Sequence, residues 1–357
     1  MPVLLTYPGV YIEEIPSGVR TITGVATSIT AFLGRTRLGS TNEPITINSF
    51  GDFERQFGGL AVDYPLSYAV RDFYLNGGSQ AIIVRLFKVL IPVGADDAAK
   101  AQAKADTLAK LSVDGLVITA KSPGIWGKKL RVTIDVEVSD EVRTRLGLVA
   151  TDALFNLTIR LGSTSEKFLN VTVTDNARRI DRVLKAESSL VDWNGAWPST
   201  TPTMAKVSAA WTALKALKDA LNAIPPVQAT IDAARTAYEA TKVDLDDDAT
   251  KAEKELAAAL AVNPQVPVDI TAAQAKITAA EVAMKGSNGV ALDQITYEGT
   301  KVDKTGLYAL DKADLFNLLC IPPDTREGDA PIAVYQTAMS YCKERRAMLI
   351  VGRCIDN

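Results

Sequence analysis

Ala81-Ile-Ile-Val-Arg-Leu-Phe87 is a continuous apolar run of strand length, bounded upstream by Asn76-Gly77-Gly78. Before it, Leu66, Ala69, Val70 and Phe73 recur at +3, +1 and +3, the stripe of an amphipathic helix that stops at the glycines. Further back, Ser49 is placed to cap a short helix with Asp52 in its first turn and Gly58-Gly59 beyond its end. Ile45–Ile47 reads as a short strand, and Ile22–Leu33, ending at Gly34, as a buried one. Strand, helix and strand in this order predict a βαβ-like unit around a central sheet. The same pattern returns after Leu307, with Phe316–Ile321 as a strand, Val334–Tyr341 as a helix and Ala347–Val351 as a strand. These segments are expected to join the sheet begun by residues 22–87.

The intervening chain has a different character. Residues 92–110 read as a linker passing into a helix. Leu116–Ala120, Leu130–Val138, Phe155–Arg160 and Phe168–Val173 then alternate as strands. Val132, Ile134, Val136 and Val138 share one face, and Arg131, Thr133, Asp135 and Glu137 the other, which predicts an antiparallel sheet wetted on one side. Asp175–Leu184 has helical character. From Pro202 to Gly286 alanine dominates. Four helical stretches are separated there by Pro225-Pro226, Asp246-Asp-Asp248 and Pro264–Pro267. Val207, Trp211, Leu214, Leu217 and Leu221 form one narrow apolar seam, and Ile270, Ala273, Ile277, Ala280 and Met284 another. Such seams suit self-contained helical hairpins. The fold class expected is α+β and multidomain. Residues 1–20 form an extended arm, and 21–92 with 290–357 a discontinuous α/β core. Residues 93–200 form an inserted β-rich domain and 201–289 a helical, coiled-coil-like insert.

With 357 residues, 47% hydrophobic and 23% charged, the composition is that of a globular protein. A net charge of −3 gives no general basic face for nucleic acid. No apolar run approaches the roughly 18 residues of a spanning helix, and no signal-peptide pattern opens the chain. Three cysteines make no disulfide framework; Cys320, Cys342 and Cys354 read as reduced thiols. The chain contains no histidine, which removes the commonest general base and the Ser-His and Cys-His nucleophile arrangements. Asp244, Asp246, Asp248, Thr250 and Glu255 stand at calcium-loop spacing. Ala249 occupies the glycine position and Lys251 an apolar one, so a solvated acidic helix start is expected there instead. Asn76-Gly-Gly-Ser79 and Gly286-Ser-Asn-Gly289 read as turns rather than phosphate loops, and Trp126 as a packing anchor beside a tight turn. No metal or cofactor is expected.

The N-terminal arm has its own logic. Pro8-Gly9 and Pro16 with Gly18 bound a short segment in which Val10, Tyr11 and Ile12 favour strand. It has no local hairpin partner, so strand addition to another copy of the chain is expected. The arm residues are Tyr7, Pro8, Gly9, Val10, Tyr11, Ile12, Glu13 and Glu14, followed by a hinge at Ile15, Pro16, Ser17 and Gly18.

Phe32-Leu-Gly-Arg-Thr36, Pro44–Phe50, Phe57-Gly-Gly59, Tyr64–Val70, Asn76-Gly-Gly78 and Val84-Arg85 follow in an order that resembles the N-terminal third of contractile tail sheath proteins of bacteriophages and related injection systems. The resemblance resumes at Ser122-Pro-Gly-Ile-Trp-Gly127, at Glu166-Lys-Phe-Leu-Asn170 with Ser188-Ser-Leu-Val191, at Gly306–Asp311, at Phe316–Pro322, and at Tyr341-Cys342 with Arg345-Arg346. It does not cover the Ala-rich helices. The resemblance implies a non-enzymatic structural subunit that polymerises around a tail tube and contracts to drive the tube through a target envelope. Implied partners are other copies of itself, the tail tube protein, and baseplate and terminator proteins, with neither nucleic acid nor membrane insertion. The implied place is a virion tail or injection-particle sheath, assembled in the bacterial cytoplasm. Family members continue beyond the strand at 347–351, so an incomplete core that does not close the usual lattice by itself is expected. The competing reading is a hydrolase-like α/β protein, or a scaffold with a partner-binding helical insert.

Overall fold

A computed structural model describes residues 28–194, 201–261, 267–326 and 328–351. Its first strand, β1 (Thr30–Gly34), is buried along its whole length. The sequence reading began this strand at Ile22, but residues before 28 lie outside those described. β2 (Pro44–Ile47) leads into α1 (Phe50–Phe57). The Ser49 side chain accepts from the Asp52 amide, and Gly58 ends the helix in the left-handed region at φ 87°. α2 (Pro65–Leu75) starts with proline at its first turn, where no amide partner is lost. β3 (Ala81–Arg85) follows, buried at every residue.

Next, α3 (Asp97–Ala105) runs into β4 (Lys110–Val113) and β5 (Leu116–Ala120). β6 (Leu130–Asp135), α4 (Asp140–Arg145), β7 (Leu154–Leu161), β8 (Thr164–Thr172), α5 (Ile180–Glu187) and β9 (Val191–Trp193) complete the β-rich part. They make two three-stranded antiparallel sheets, β4-β5-β9 and β6-β7-β8. Leu111, Ile118, Trp126, Val132, Phe155 and Phe168 pack between and beside them. Trp126 is buried next to Gly124, whose φ of 145° makes the turn, as the sequence indicated.

Four helices then form two hairpins, α6 (Ala205–Asn222) with α7 (Gln228–Lys242) and α8 (Asp248–Ala261) with α9 (Pro267–Ala283). Their seams are not self-contained. Val207, Ala210, Leu214, Tyr238, Leu245 and Met284 belong to the same apolar cluster as the β-rich strands. Narrow seams of small residues leave enough apolar surface unmatched within each hairpin to be buried against a sheet.

Two further expectations are corrected at β6. Its polar face is not wetted at Arg131, which is 5% exposed beneath α8 and α9. Nor is the acidic helix start solvated at Asp246 and Asp247, which are 2% and 3% exposed. Asp246 bridges antiparallel to Thr133, and the Asp247 amide donates to the Val132 carbonyl at 3.0 Å. One Asp247 carboxylate oxygen accepts from the Ala249 and Thr250 amides, and the other from the Val132 amide and the Thr250 hydroxyl. The acidic turn therefore pairs with the open edge of β6 while capping α8, and edge pairing requires burial.

α10 (Gln294–Glu298), β10 (Leu318–Cys320), α11 (Ile332–Arg345) and β11 (Met348–Ile350) return the chain to the first sheet. The strand order is β11-β10-β1-β3-β2, parallel except for β2, whose Pro44 is tolerated at an edge. One face buries Phe32, Ile83 and Ile47 with Phe53, Phe57, Leu66 and Val70 of α1 and α2. The other buries Ala31, Leu33, Ile82, Val84 and Leu319 with Val334, Ala338 and Tyr341 of α11. The fold is thus α+β, with several sheets.

Candidate functional site

The arm residues Tyr7–Glu14 and the hinge Ile15–Gly18 lie outside the described residues. Among the described residues, three places carry enough chemistry or exposed pairing capacity to serve as a site: the outer sheet edge, the crevice at the strand ends, and one large cleft.

Among the described residues β11 pairs with β10 alone, at the end of the sheet. Register puts Met348 opposite Leu318 and Ile350 opposite Cys320, on the face that α1 and α2 cover over β1 and β3 but not here. Met348 is 67% and Ile350 41% exposed, an apolar strip beside an edge that no other described strand pairs with.

The crossings from β1 to β3 and from β10 to β11 lie on opposite faces, so the carboxyl ends of β1 and β10 part at a topological switch point. Open α/β sheets bind ligands at such a place. Here the crevice is filled. Arg35 Nε pairs with Asp324 Oδ1 at 2.5 Å, its guanidinium carbon lies 5.4 Å from the Tyr64 ring centre, and the Leu292 amide donates to Asp324 Oδ2 at 2.9 Å.

The cleft, of about 1480 Å³, lies between the loops around α1, the β-rich strands and the α8–α9 hairpin. One wall carries a network of ion pairs internal to the chain. Arg131 reaches Glu253 and Glu281, each at 2.7 Å; Lys129 pairs with Glu281 at 2.8 Å and Arg160 with Glu253 at 2.9 Å. Burial pulls the Arg131 pKa down, but the hydrogen bonds it donates to Glu281 and Glu253 outweigh that and hold the value above the ordinary one. Burial likewise pushes Glu281 up, and Lys129 and Arg131 more than offset that, leaving it below the usual carboxylate range. Three cations on two carboxylates fasten the hairpin to β6 and β7. Two of the cleft serines are engaged too, Ser122 Oγ accepting from the Gly39 amide and Ser188 Oγ donating to Glu166 at 2.6 Å.

Residues quoted above from separate stretches meet in the structure. Glu166 accepts from the Ser188 hydroxyl and from the Ser189 amide and hydroxyl, tying β8 to the turn after α5. Asp311 accepts from the Tyr341 hydroxyl at 2.7 Å and from Arg345 at 3.4 Å, tying the segment before β10 to α11. Arg85 donates to the Pro123 carbonyl at 2.7 Å, tying the first sheet to the β-rich part. The sequence reading missed Asp324, Glu253 and Glu281. Their only sequence signal is an acidic residue beside a strand end or on a helix, which is indistinguishable from a solvated surface charge.

No group of three or more metal-ligating side chains occurs among the described residues. Cys320 and Cys342 are free thiols, and burial pushes Cys320 up to about 11. No described helix is long and apolar enough to cross a membrane.

No protein-family model matches the chain, and no curated protein matches it. Nine solved chains are similar to parts of it, among them two sheath tail proteins. The sheath tail protein of Listeria innocua shows 18% identity and a TM-score of 0.32, over 50% of this chain and 32% of that one. The sheath tail protein of Desulfitobacterium hafniense shows 18% identity and a TM-score of 0.32, over 53% of this chain and 35% of that one. The chain thus spans about a third of the length of the solved structures it matches. A TM-score of 0.32 leaves the reading of this chain to its own residues and geometry. Both of these solved chains are sheath tail proteins.

Proposed function

We propose that the chain is a structural subunit of a contractile tail sheath, which assembles with copies of itself around a tail tube and contracts to drive it through an envelope. The observation that carries this reading is where the sheath-like residues go. Glu166, Arg85 and Asp311 each join two separate elements through hydrogen bonds to a carbonyl, a hydroxyl, an amide or a guanidinium. They are joints through which one part of the fold holds another. The filled crevice at the strand ends and the ion-paired wall of the cleft favour a scaffold over a hydrolase-like protein.

In this reading residues 1–20 add a strand to a neighbouring subunit, and Ile15–Gly18 bend while those strands stay paired. Partners are other copies, the tube protein, and baseplate and terminator proteins. The subunit uses no cofactor and catalyses no reaction. The work of contraction comes from the difference in free energy between extended and contracted lattices.

Deleting residues 1–18 tests the assembly step. The shortened chain should unfold cooperatively like the full chain while losing self-association in sedimentation velocity. An unfolded product, or undiminished association, would place the arm in its own subunit's core and overturn the strand-addition reading.

A further inference from the structure

The five-stranded sheet with its helices and the β-rich part with its four helices have separate apolar clusters. Among the described residues, Leu38 is the one of the first that packs against the cluster of the second. Covalently they are joined twice, by the chain leaving β3 and by the chain returning to α10. What holds them face to face is therefore mostly polar. The two connecting segments are pinned together where the Val290 amide donates to the Lys88 carbonyl at 3.0 Å. Gly289 sits so close there, at φ +70°, that a Cβ would lie 2.3 Å from the Lys88 oxygen. Away from this pin, the loop after β1 meets the Ser122-Pro-Gly124 turn.

At that meeting point stands Arg85, a cation only 2% exposed, with no carboxylate paired to it among the described residues. Its guanidinium donates to three carbonyls: Thr36 at 3.2 Å, Gly39 at 2.6 Å and Pro123 at 2.7 Å. The first two belong to its own unit and the third to the other. The Phe87 ring lies 5.5 Å from it. Burial lowers its pKa only to about 10, so it stays charged at neutral pH. A buried cation satisfied by backbone oxygens alone contributes little as a general stabiliser. Its planar fork instead fixes the mutual angle of the groups it holds, which the ammonium of lysine cannot do. The Gly39 amide, donating to Ser122 Oγ at 3.2 Å, is a second bond across the same gap.

We propose that Arg85 is a latch: it holds the β-rich unit at one angle on the five-stranded unit, and the paired segments at Lys88 and Val290 are the pivot about which the two units move when the latch opens. Opening breaks the Arg85–Pro123 and Gly39–Ser122 bonds and exposes little apolar surface, so each unit keeps its own core. A molecule built this way has a hinge that the assembled state or a partner can set without unfolding either part.

Arg85→Lys and Ser122→Ala, made in the full chain, test this. The expected result is unchanged far-ultraviolet circular dichroism, a larger maximum dimension in small-angle X-ray scattering, and at least tenfold faster proteolysis within residues 86–96 and 286–292. Ser122→Ala should show the same changes to a smaller degree. Wild-type scattering and cleavage rates in Arg85→Lys would overturn the latch. So would a single unfolding transition that carries both units down together with no change in dimension. If Arg85→Lys fails to fold, Ser122→Ala decides alone: wild-type scattering and cleavage in that variant would overturn the proposal, and expansion with intact helix and strand content would support it.

Discussion

Asp247 offers the sharpest quantitative test of how the helical hairpins are held. Its carboxylate caps α8 through the Ala249 and Thr250 amides and also satisfies the Val132 amide on the edge of β6. Asp247→Ala removes the cap, at about 1 kcal/mol. It also leaves the N–H of Val132, a residue 1% exposed, without its side-chain acceptor, at about 1–3 kcal/mol. The expected loss is about 2–4 kcal/mol, or a fall of roughly 1 M in the urea midpoint at a slope near 3 kcal/mol per M. Asp248, whose side chain is 88% exposed one residue later, is the control. Asp248→Ala should stay within about 0.5 kcal/mol of wild type. Urea unfolding followed by circular dichroism measures both. Equal, small effects at the two positions would mean that the acidic turn is solvated and that the hairpin is not anchored through it.

Asp293 hydrogen-bonds to Lys88 and Thr296, which hold its carboxyl near 2 against a usual 3.8. Because the folded value is depressed, its stabilisation is fully present above about pH 4 and fades as pH falls toward 2; with the side chain 42% exposed the effect should be small and salt-sensitive. The stability gap between wild type and Asp293→Asn, measured by urea unfolding from pH 6 to pH 2.5, should narrow over that interval, and a gap independent of pH would refute the assignment. Cys320, pushed up to about 11, should label with iodoacetamide at pH 8 at least tenfold more slowly in the folded chain than in urea, as mapped by mass spectrometry; equal rates would mean that the β10 thiol is open to solvent.

The sheet was legible because its strands are continuous apolar runs cut by glycine and proline. Ala81–Arg85 and Thr30–Gly34 need no knowledge of their partners to read as buried strands. The four helices were legible for the same reason, through Pro225-Pro226 and the acidic turn. What covers what was not legible. Arg131 lies on the polar side of an alternating strand and reads as solvated until Glu253 and Glu281, more than a hundred residues away, arrive above it. Asp246 and Asp247 read as a charged helix start because nothing in their neighbourhood announces the β6 edge they pair with. Val207 and Leu214 fit a helical seam equally well whether the partner is another helix or a sheet. The junction residues were quoted from the sequence individually, but their pairing across the chain emerges only from the fold. The arm, the first candidate by sequence, lies outside the described residues.

The most direct measurement is immunogold electron microscopy of contractile particles from cells that produce this chain, with an antibody raised against the α6–α7 hairpin. A sheath subunit predicts gold spaced regularly along the tail shaft, drawing into a shorter, wider zone once the particles are triggered. Gold confined to particle ends, or absent from particles while the chain is abundant in the lysate, would contradict the sheath assignment.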